Sequence, residues 1–167
     1  YILCAARPHR EPTRKSPPCH NKRSRKLTLP HMKPPLRRSD IEAIIPHREP
    51  FIFVDRIVEV DYGHRAVGFI DDIGAFDEHI LRGHFPGFPI MPGAILVEAL
   101  AEVGGVAALG LPANRAKIAM LTGLDKWKFR RPARPGDRVR LETELIRLRA
   151  NFGRGKAKAT IGDTLVA

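Results

Sequence analysis

Cysteine is nearly absent: of 167 residues only Cys4 and Cys19 carry a thiol. Both precede residue 32, so the rest of the chain can hold neither a disulfide framework nor a cysteine metal site, and a reducing compartment, the cytoplasm, fits. Metal-binding spacing is missing as well, because His47, His64, His79 and His84 form no pattern such as H-E-x-x-H. No metal or redox cofactor is expected. The chain also lacks an unbroken apolar run of membrane-spanning length. Its longest, Gly93–Leu109, is interrupted by Glu98, Glu102 and the Gly104-Gly105 pair, which reads as a buried helix. A secretory signal is missing too: Tyr1–Ala6 is apolar, but its basic residues follow it where a signal peptide would place them in front. There are no internal repeats.

The length suits one domain with a packed core. The net charge of +11 looks like a nucleic-acid signature until its distribution is read. Residues 1–31 hold eight Lys/Arg and one acid, Glu11, leaving 21 basic and 17 acidic side chains for the remainder. Residues 1–38, rich in Pro, Arg and Lys and without apolar periodicity, are expected to be a disordered basic leader or an upstream segment ahead of a start at Met32. A targeting leader is a further reading. A nucleic-acid arm fits least, since no aromatic is interleaved to stack on bases.

Order is expected from Ser39 to Ala167. Ser39-Asp40-Ile41-Glu42 has the form of a capping box, and Pro46 stops that helix within two turns. Ile52–Val60 reads as a strand, Asp61-Tyr62-Gly63 as a turn, and His64–Ile70 as the returning arm. After an irregular stretch to Pro92 comes the apolar helix 93–109, closed by Gly110. Lys117–Phe129 is long enough for a strand that bends, and Arg138–Arg149 and Arg154–Ile161 alternate as strands before a Gly162-Asp163 turn. One buried helix among antiparallel strands is an α+β arrangement with a sheet curled over the helix.

Chemistry-bearing residues concentrate in Gly83–Gly93. Prolines and glycines stiffen the backbone around His84, which suits a base that must meet one proton; a purely structural histidine is the alternative. Glu98 lies in a helix that is apolar on every face. Buried there, it would be driven towards protonation, as a general acid requires; at the helix mouth it would reach water or a basic partner. Glu102 stands one turn further on the same side, so one of the two is protonated, one is exposed, or a cation lies between them. Pro92-Gly93 starts the helix, where unpaired N–H groups and the positive end of the dipole can polarise a carbonyl oxygen.

Taken together, Ile45–Phe51 (Ile-Pro-His-Arg-Glu-Pro-Phe), Val54-Asp55-Arg56, Gly83-His84-Phe85-Pro86-Gly87, Met91-Pro92-Gly93 and Glu98-Ala99-Leu100-Ala101 resemble the (3R)-hydroxyacyl-acyl-carrier-protein dehydratases of the FabZ type. Lys128–Pro132 and Pro135-Gly136-Asp137 extend the likeness, which runs from about Ile41 onwards. The resemblance implies a hot-dog fold, a curled antiparallel sheet wrapped around a long central helix. It implies His84 and Glu98 as the catalytic pair, drawn from different subunits of a homodimer, with three dimers commonly assembling, and Gly93 as the amide that holds the thioester carbonyl. The expected reaction is dehydration of a 3-hydroxyacyl thioester on acyl carrier protein in fatty-acid synthesis, without isomerisation, because Glu98 stands where the isomerising sister group usually has Asp. A hot-dog thioesterase is the alternative. Phe85, Phe88, Ile95 and Leu96 are expected along an acyl tunnel, and Arg130, Arg131, Arg134 and Arg138 at a basic mouth for the acidic carrier. Neither nucleic acid nor membrane is expected as a partner. Two departures stand out: Glu102 occupies a position where this family usually has Gln, and Ala167 falls within what the family makes its last strand.

Overall fold

The computed structural model describes the backbone of residues 2–6 and the whole of residues 32–76, 80–115, 117–149 and 152–167. The readings placed on residues 7–31, Cys19 among them, and on His79 lie outside the described residues.

A curved antiparallel sheet wraps a single long helix, as the hot-dog resemblance implies. The strands are β1 (Ile2–Ala6), β2 (Leu36–Arg37), β3 (Arg56–Asp61), β4 (Arg65–Ile70), β5 (Ile118–Gly123), β6 (Val139–Arg149), β7 (Phe152–Ile161) and β8 (Thr164–Leu165). They pair in the order β2-β3-β4-β6-β7-β1-β5, with β8 also against β7. The helices are α1 (Arg38–Ile44) and α2 (Gly93–Leu109). From Leu96 onwards every residue of α2 except Glu98 is buried, which accounts for a helix apolar on all faces. Thr143 of β6, itself buried, donates its hydroxyl to the Leu100 carbonyl at 2.8 Å and so fastens the sheet to the helix.

The hairpin β3–β4 turns at Gly63, whose φ of +91° favours glycine. Gly110 ends α2, as the sequence suggested, with right-handed backbone. What demands glycine there is proximity: a Cβ would run into the Tyr62 ring.

Four expectations need correction. The first turn of α1 is capped two positions earlier than Ser39, at Arg37, since Asp40 accepts the backbone N–H of Arg37 at 3.0 Å. The strand expected from Ile52 begins at Arg56. Ile52, Phe53 and Val54 are fully buried all the same, because the amides of Phe53 and Val54 are claimed by a side chain of α2 instead of a neighbouring strand. The strand expected over Lys117–Phe129 ends at Gly123. Finally, Ile2–Ala6 lies within the segment read as unstructured, yet β1 pairs with both β5 and β7. β1 and β8 use the same edge of β7, β8 at Thr160 and Ile161 and β1 at Phe152–Arg154. No helix among the described residues is long and apolar enough to cross a membrane.

Candidate active site

His84 follows a short 3-10 turn, Leu81–Gly83, and is tied into its loop at both ends. Its amide donates to the Leu81 carbonyl, and its carbonyl accepts from Ile90 N–H, both at 2.9 Å. The ring is fixed too: Nδ1 lies 2.9 Å from the Ile90 carbonyl oxygen. A carbonyl can only accept, so Nδ1 carries the hydrogen of the neutral ring and Nε2 keeps the basic lone pair. Nε2 has no hydrogen-bond partner among the described residues. Phe85 stacks on the imidazole with ring centroids 4.2 Å apart.

His84 shares a cleft of about 420 Å³ with Gly93, Leu96, Phe129, Arg130 and Arg131. Met91 N–H donates to the Ala133 carbonyl at 2.8 Å, joining the His84 loop to the Arg130–Ala133 wall. Gly93 opens α2, and its N–H has no partner among the described residues, so the helix start offers a donor beside the imidazole. A Cβ at this spot would meet the Phe129 ring at 2.7 Å, so any larger residue would have to push that exposed ring aside. Of the expected tunnel residues, only Leu96 lies on this cleft; Ile95 is half-buried against the core, and Phe85 and Phe88 are exposed.

Glu98 lies elsewhere. It opens with His47 into a separate crevice of about 40 Å³, bounded also by Ile45, Ala101, Gly105 and Leu121. Its side chain retains 23% exposure, and its Oε1 is 3.3 Å from His47 Nε2. Of the two readings left open for Glu98, the structure favours the partly exposed carboxylate beside a basic partner, although in the second turn of α2 and not at the helix mouth. The carboxylate that is buried is Glu102, only 1% exposed. Glu102 Oε2 accepts N–H from Phe53 at 2.9 Å and from Val54 at 3.0 Å, with Oε1 3.1 Å from the same Phe53 nitrogen. Burial pushes Glu102 up to about 7, against the opposing pull of those amides and of His47. Ligand atoms of His47, Glu98 and Glu102 fall within 4.8 Å of one another, but the amides of Phe53 and Val54 already point at Glu102, and donors there compete with any cation.

Sequence reasoning missed the place of His47, which figured only among the histidines without metal-ligand spacing and in the Pro46-His47-Arg48 motif, and that of Phe129 against Gly93. Among the arginines, Arg130 and Arg131 reach the cleft. Arg134 lies over the Phe88 ring, 4.6 Å from its centroid. Arg138 is drawn aside to Asp71 at 3.2 Å. A wider groove of about 640 Å³ runs between the Gly123–Lys128 segment and β7; Arg130 lines it too, together with Lys126, Lys128 and Arg154.

The position of Glu102 has a measurable consequence for stability. Between its ordinary value of 4.5 and about 7, the folded chain retains a proton that the unfolded chain releases. Stability must therefore fall as pH rises through that window, by roughly 3 kcal/mol in all, and none of it is felt below the window. The raised value of His47, due first to its contact with Glu98 and opposed by burial, adds a slope of the same sign. Glu102→Gln removes the charge, and its amide oxygen can accept both N–H groups. We expect the variant to exceed the parent at pH 8 by on the order of 1–3 kcal/mol, with the gap closing towards pH 4.5, and with turnover within a few-fold. Denaturant unfolding at the two pH values checks this; a variant less stable than the parent at pH 8 would contradict it.

Comparisons with known proteins agree with this fold. A family profile described as FabA-like domain matches residues 45–167. Among curated relatives, the 3-hydroxyacyl-[acyl-carrier-protein] dehydratase FabZ of Chloroflexus aggregans is 50% identical over 126 residues, 75% of this chain and 86% of that protein. The protein of the same name from Anoxybacillus flavithermus is 51% identical over 126 residues, 75% of this chain and 87% of its own length. Among solved structures, the dehydratase heterocomplex ApeI:P from Xenorhabdus doucetiae aligns with a TM-score of 0.63 at 16% identity, covering 75% of this chain and 84% of that one. A sigma28-regulated virulence protein from Campylobacter jejuni aligns with a TM-score of 0.56 at 16% identity, covering 77% and 82%. These two likenesses concern the fold.

Proposed function

The chain belongs to the FabA-like domain family, and from that premise we propose that it is a 3-hydroxyacyl-[acyl-carrier-protein] dehydratase of fatty-acid biosynthesis, a hydro-lyase acting in the cytoplasm as a homodimer or a trimer of dimers. The observation that carries the chemistry is the locked imidazole of His84. With Nδ1–H committed to the Ile90 carbonyl, Nε2 is the one basic atom of the ring, and it belongs to the same cleft as the unpaired Gly93 amide. A thioester carbonyl placed on that amide becomes more acidic at its α-carbon, because the helix start stabilises the enolate-like oxygen. His84 Nε2 takes the α-proton, the Cα–Cβ double bond forms, and the Cβ–O bond breaks. Glu98 gives its proton to the departing hydroxyl, which leaves as water. The product is the trans-2-enoyl thioester.

His84 and Glu98 line different cavities of one chain. The reading therefore has the partner's copy supply the missing half of each site, as two-fold symmetry allows. The thioesterase alternative gains nothing from the relatives at about 50% identity, which carry the dehydratase name.

The direct test is incubation with 3-hydroxyacyl-acyl carrier protein while enoyl absorbance is followed. Enoyl formation is expected; release of free thiol without it would support the thioesterase instead. Arg130 joins the His84 cleft to the basic groove, so an acidic carrier should be drawn to this mouth. Turnover on the carrier substrate should then fall with salt more steeply than turnover on a pantetheine analogue, because screening weakens long-range attraction. Equal salt dependence for the two substrates would remove the arginine mouth from the proposal.

A further inference from the structure

The mechanism leaves one ionisable side chain of the Glu98 crevice without a task. His47 comes from the segment after α1, and that segment is held firmly. Ile45 N–H donates to the Ile41 carbonyl at 2.9 Å, and Pro46 follows. The Arg48 guanidinium donates to the carbonyls of Ile45, at 3.0 Å, and of His47, at 2.6 Å. The backbone that presents the imidazole is thus braced from both sides.

The ring has one definite orientation of its hydrogens. Nδ1 is buried with no hydrogen-bond partner. A buried N–H with no acceptor costs more than a buried lone pair beside apolar atoms, so the neutral ring carries its hydrogen on Nε2, which is the nitrogen 3.3 Å from Glu98 Oε1. The charged and titratable groups around it are few. From α2 it faces Glu98 and Glu102, from its own segment Arg48; β5 contributes the apolar Ala119 and Leu121 to the crevice. Glu102 cannot turn to it, because its oxygens are held by the amides of Phe53 and Val54. Glu98 is therefore the carboxylate that Nε2–H can orient.

We infer that His47 is a positioning residue for Glu98: it holds one carboxyl oxygen and leaves the other aimed at the substrate hydroxyl. The inference rests on Glu98 being the acid. A carboxyl confined to one rotamer meets the leaving group without further ordering. Since the substrate's thioester is bound by the other half of the site, losing this restraint should act on kcat and hardly on KM.

Three variants test it on the intact protein: His47→Leu, His47→Gln and His47→Leu combined with Glu98→Gln. A glutamine amide nitrogen can stand where Nε2 stands, whereas leucine offers no donor. We expect His47→Leu to lose ~10-fold or more in kcat with KM within about two-fold, and His47→Gln to return to within about three-fold of the parent. In the Glu98→Gln background, His47→Leu should cost less than about two-fold, because a residue that acts through Glu98 has nothing left to orient. Equal loss in the Leu and Gln variants, a loss confined to KM, or full multiplication of the two lesions would each overturn the inference. If His47→Leu does not fold, His47→Asn, whose amide is too short to reach Glu98, takes its place with the same expectations. Failure of the underlying reading looks different: Glu98→Gln at parental turnover would remove the acid itself, whatever the His47 variants do.

Discussion

His84→Ala and Glu98→Gln should each lower turnover by at least ~10²-fold, the usual scale for deleting an acid–base group, with the fold retained. For His84 the reason is local. The imidazole is half-buried at the cleft, and the loop is held by backbone bonds from His84 to Leu81 and Ile90 that survive truncation of the ring. What disappears is Nε2, the one basic lone pair beside the Gly93 amide. No neighbouring group of the cleft replaces it: Arg130 and Arg131 are cations with no basic site at neutral pH, and the rest of the wall is apolar or backbone. For Glu98 the substitution keeps shape and volume but removes the transferable proton. Among the described residues the partly exposed side chain pairs with His47 alone, so thermal unfolding should change little. Steady-state kinetics on a 3-hydroxyacyl thioester, with unfolding measured alongside, check both. Near-parental turnover in either variant would end that residue's assignment.

The features that could be read from the sequence are those that depend on residue type along a line. The limits of α2 follow from an apolar run between Pro92 and Gly110, the hairpin β3–β4 follows from its turn residues, and β6 and β7 follow from their alternation. The His84 loop is legible because its prolines restrict the backbone and its glycines allow tight turns, whatever packs around it. What escaped depends on partners distant in the chain. Ile52–Val54 has the composition of a strand, but its amides are taken by Glu102, some fifty residues on. The alternation that predicts strands cannot show which backbone groups are claimed by a side chain. Glu98 and Glu102 look equivalent on a helix apolar all round. Four residues advance a helix by slightly more than one turn, and that small offset, together with one turn of rise, sends Glu102 to the core and Glu98 to the crevice. His47 carried no signal of its own, since its meaning lies in a contact across 51 positions. β1 was hidden for the same reason: a short apolar stretch beside a basic, proline-rich segment reveals nothing of an edge formed by β5 and β7.

The central claim is that each site joins His84 of one chain to Glu98 of another. Within one chain the two residues lie only fourteen positions apart, yet they line separate cavities. In an equal mixture of His84→Ala and Glu98→Gln chains, unfolded together and refolded, random pairing makes half the dimers mixed. Each mixed dimer contains one doubly damaged site and one with both parental residues, because the symmetry axis exchanges the two halves. About a quarter of all sites should then be active, although each variant refolded alone stays near background. Were both residues drawn from one chain, every site in the mixture would carry a lesion. The measurement is turnover of 3-hydroxyacyl-acyl carrier protein by the co-refolded mixture: roughly a quarter of parental activity is the predicted result, and efficient refolding with no recovered activity would contradict it.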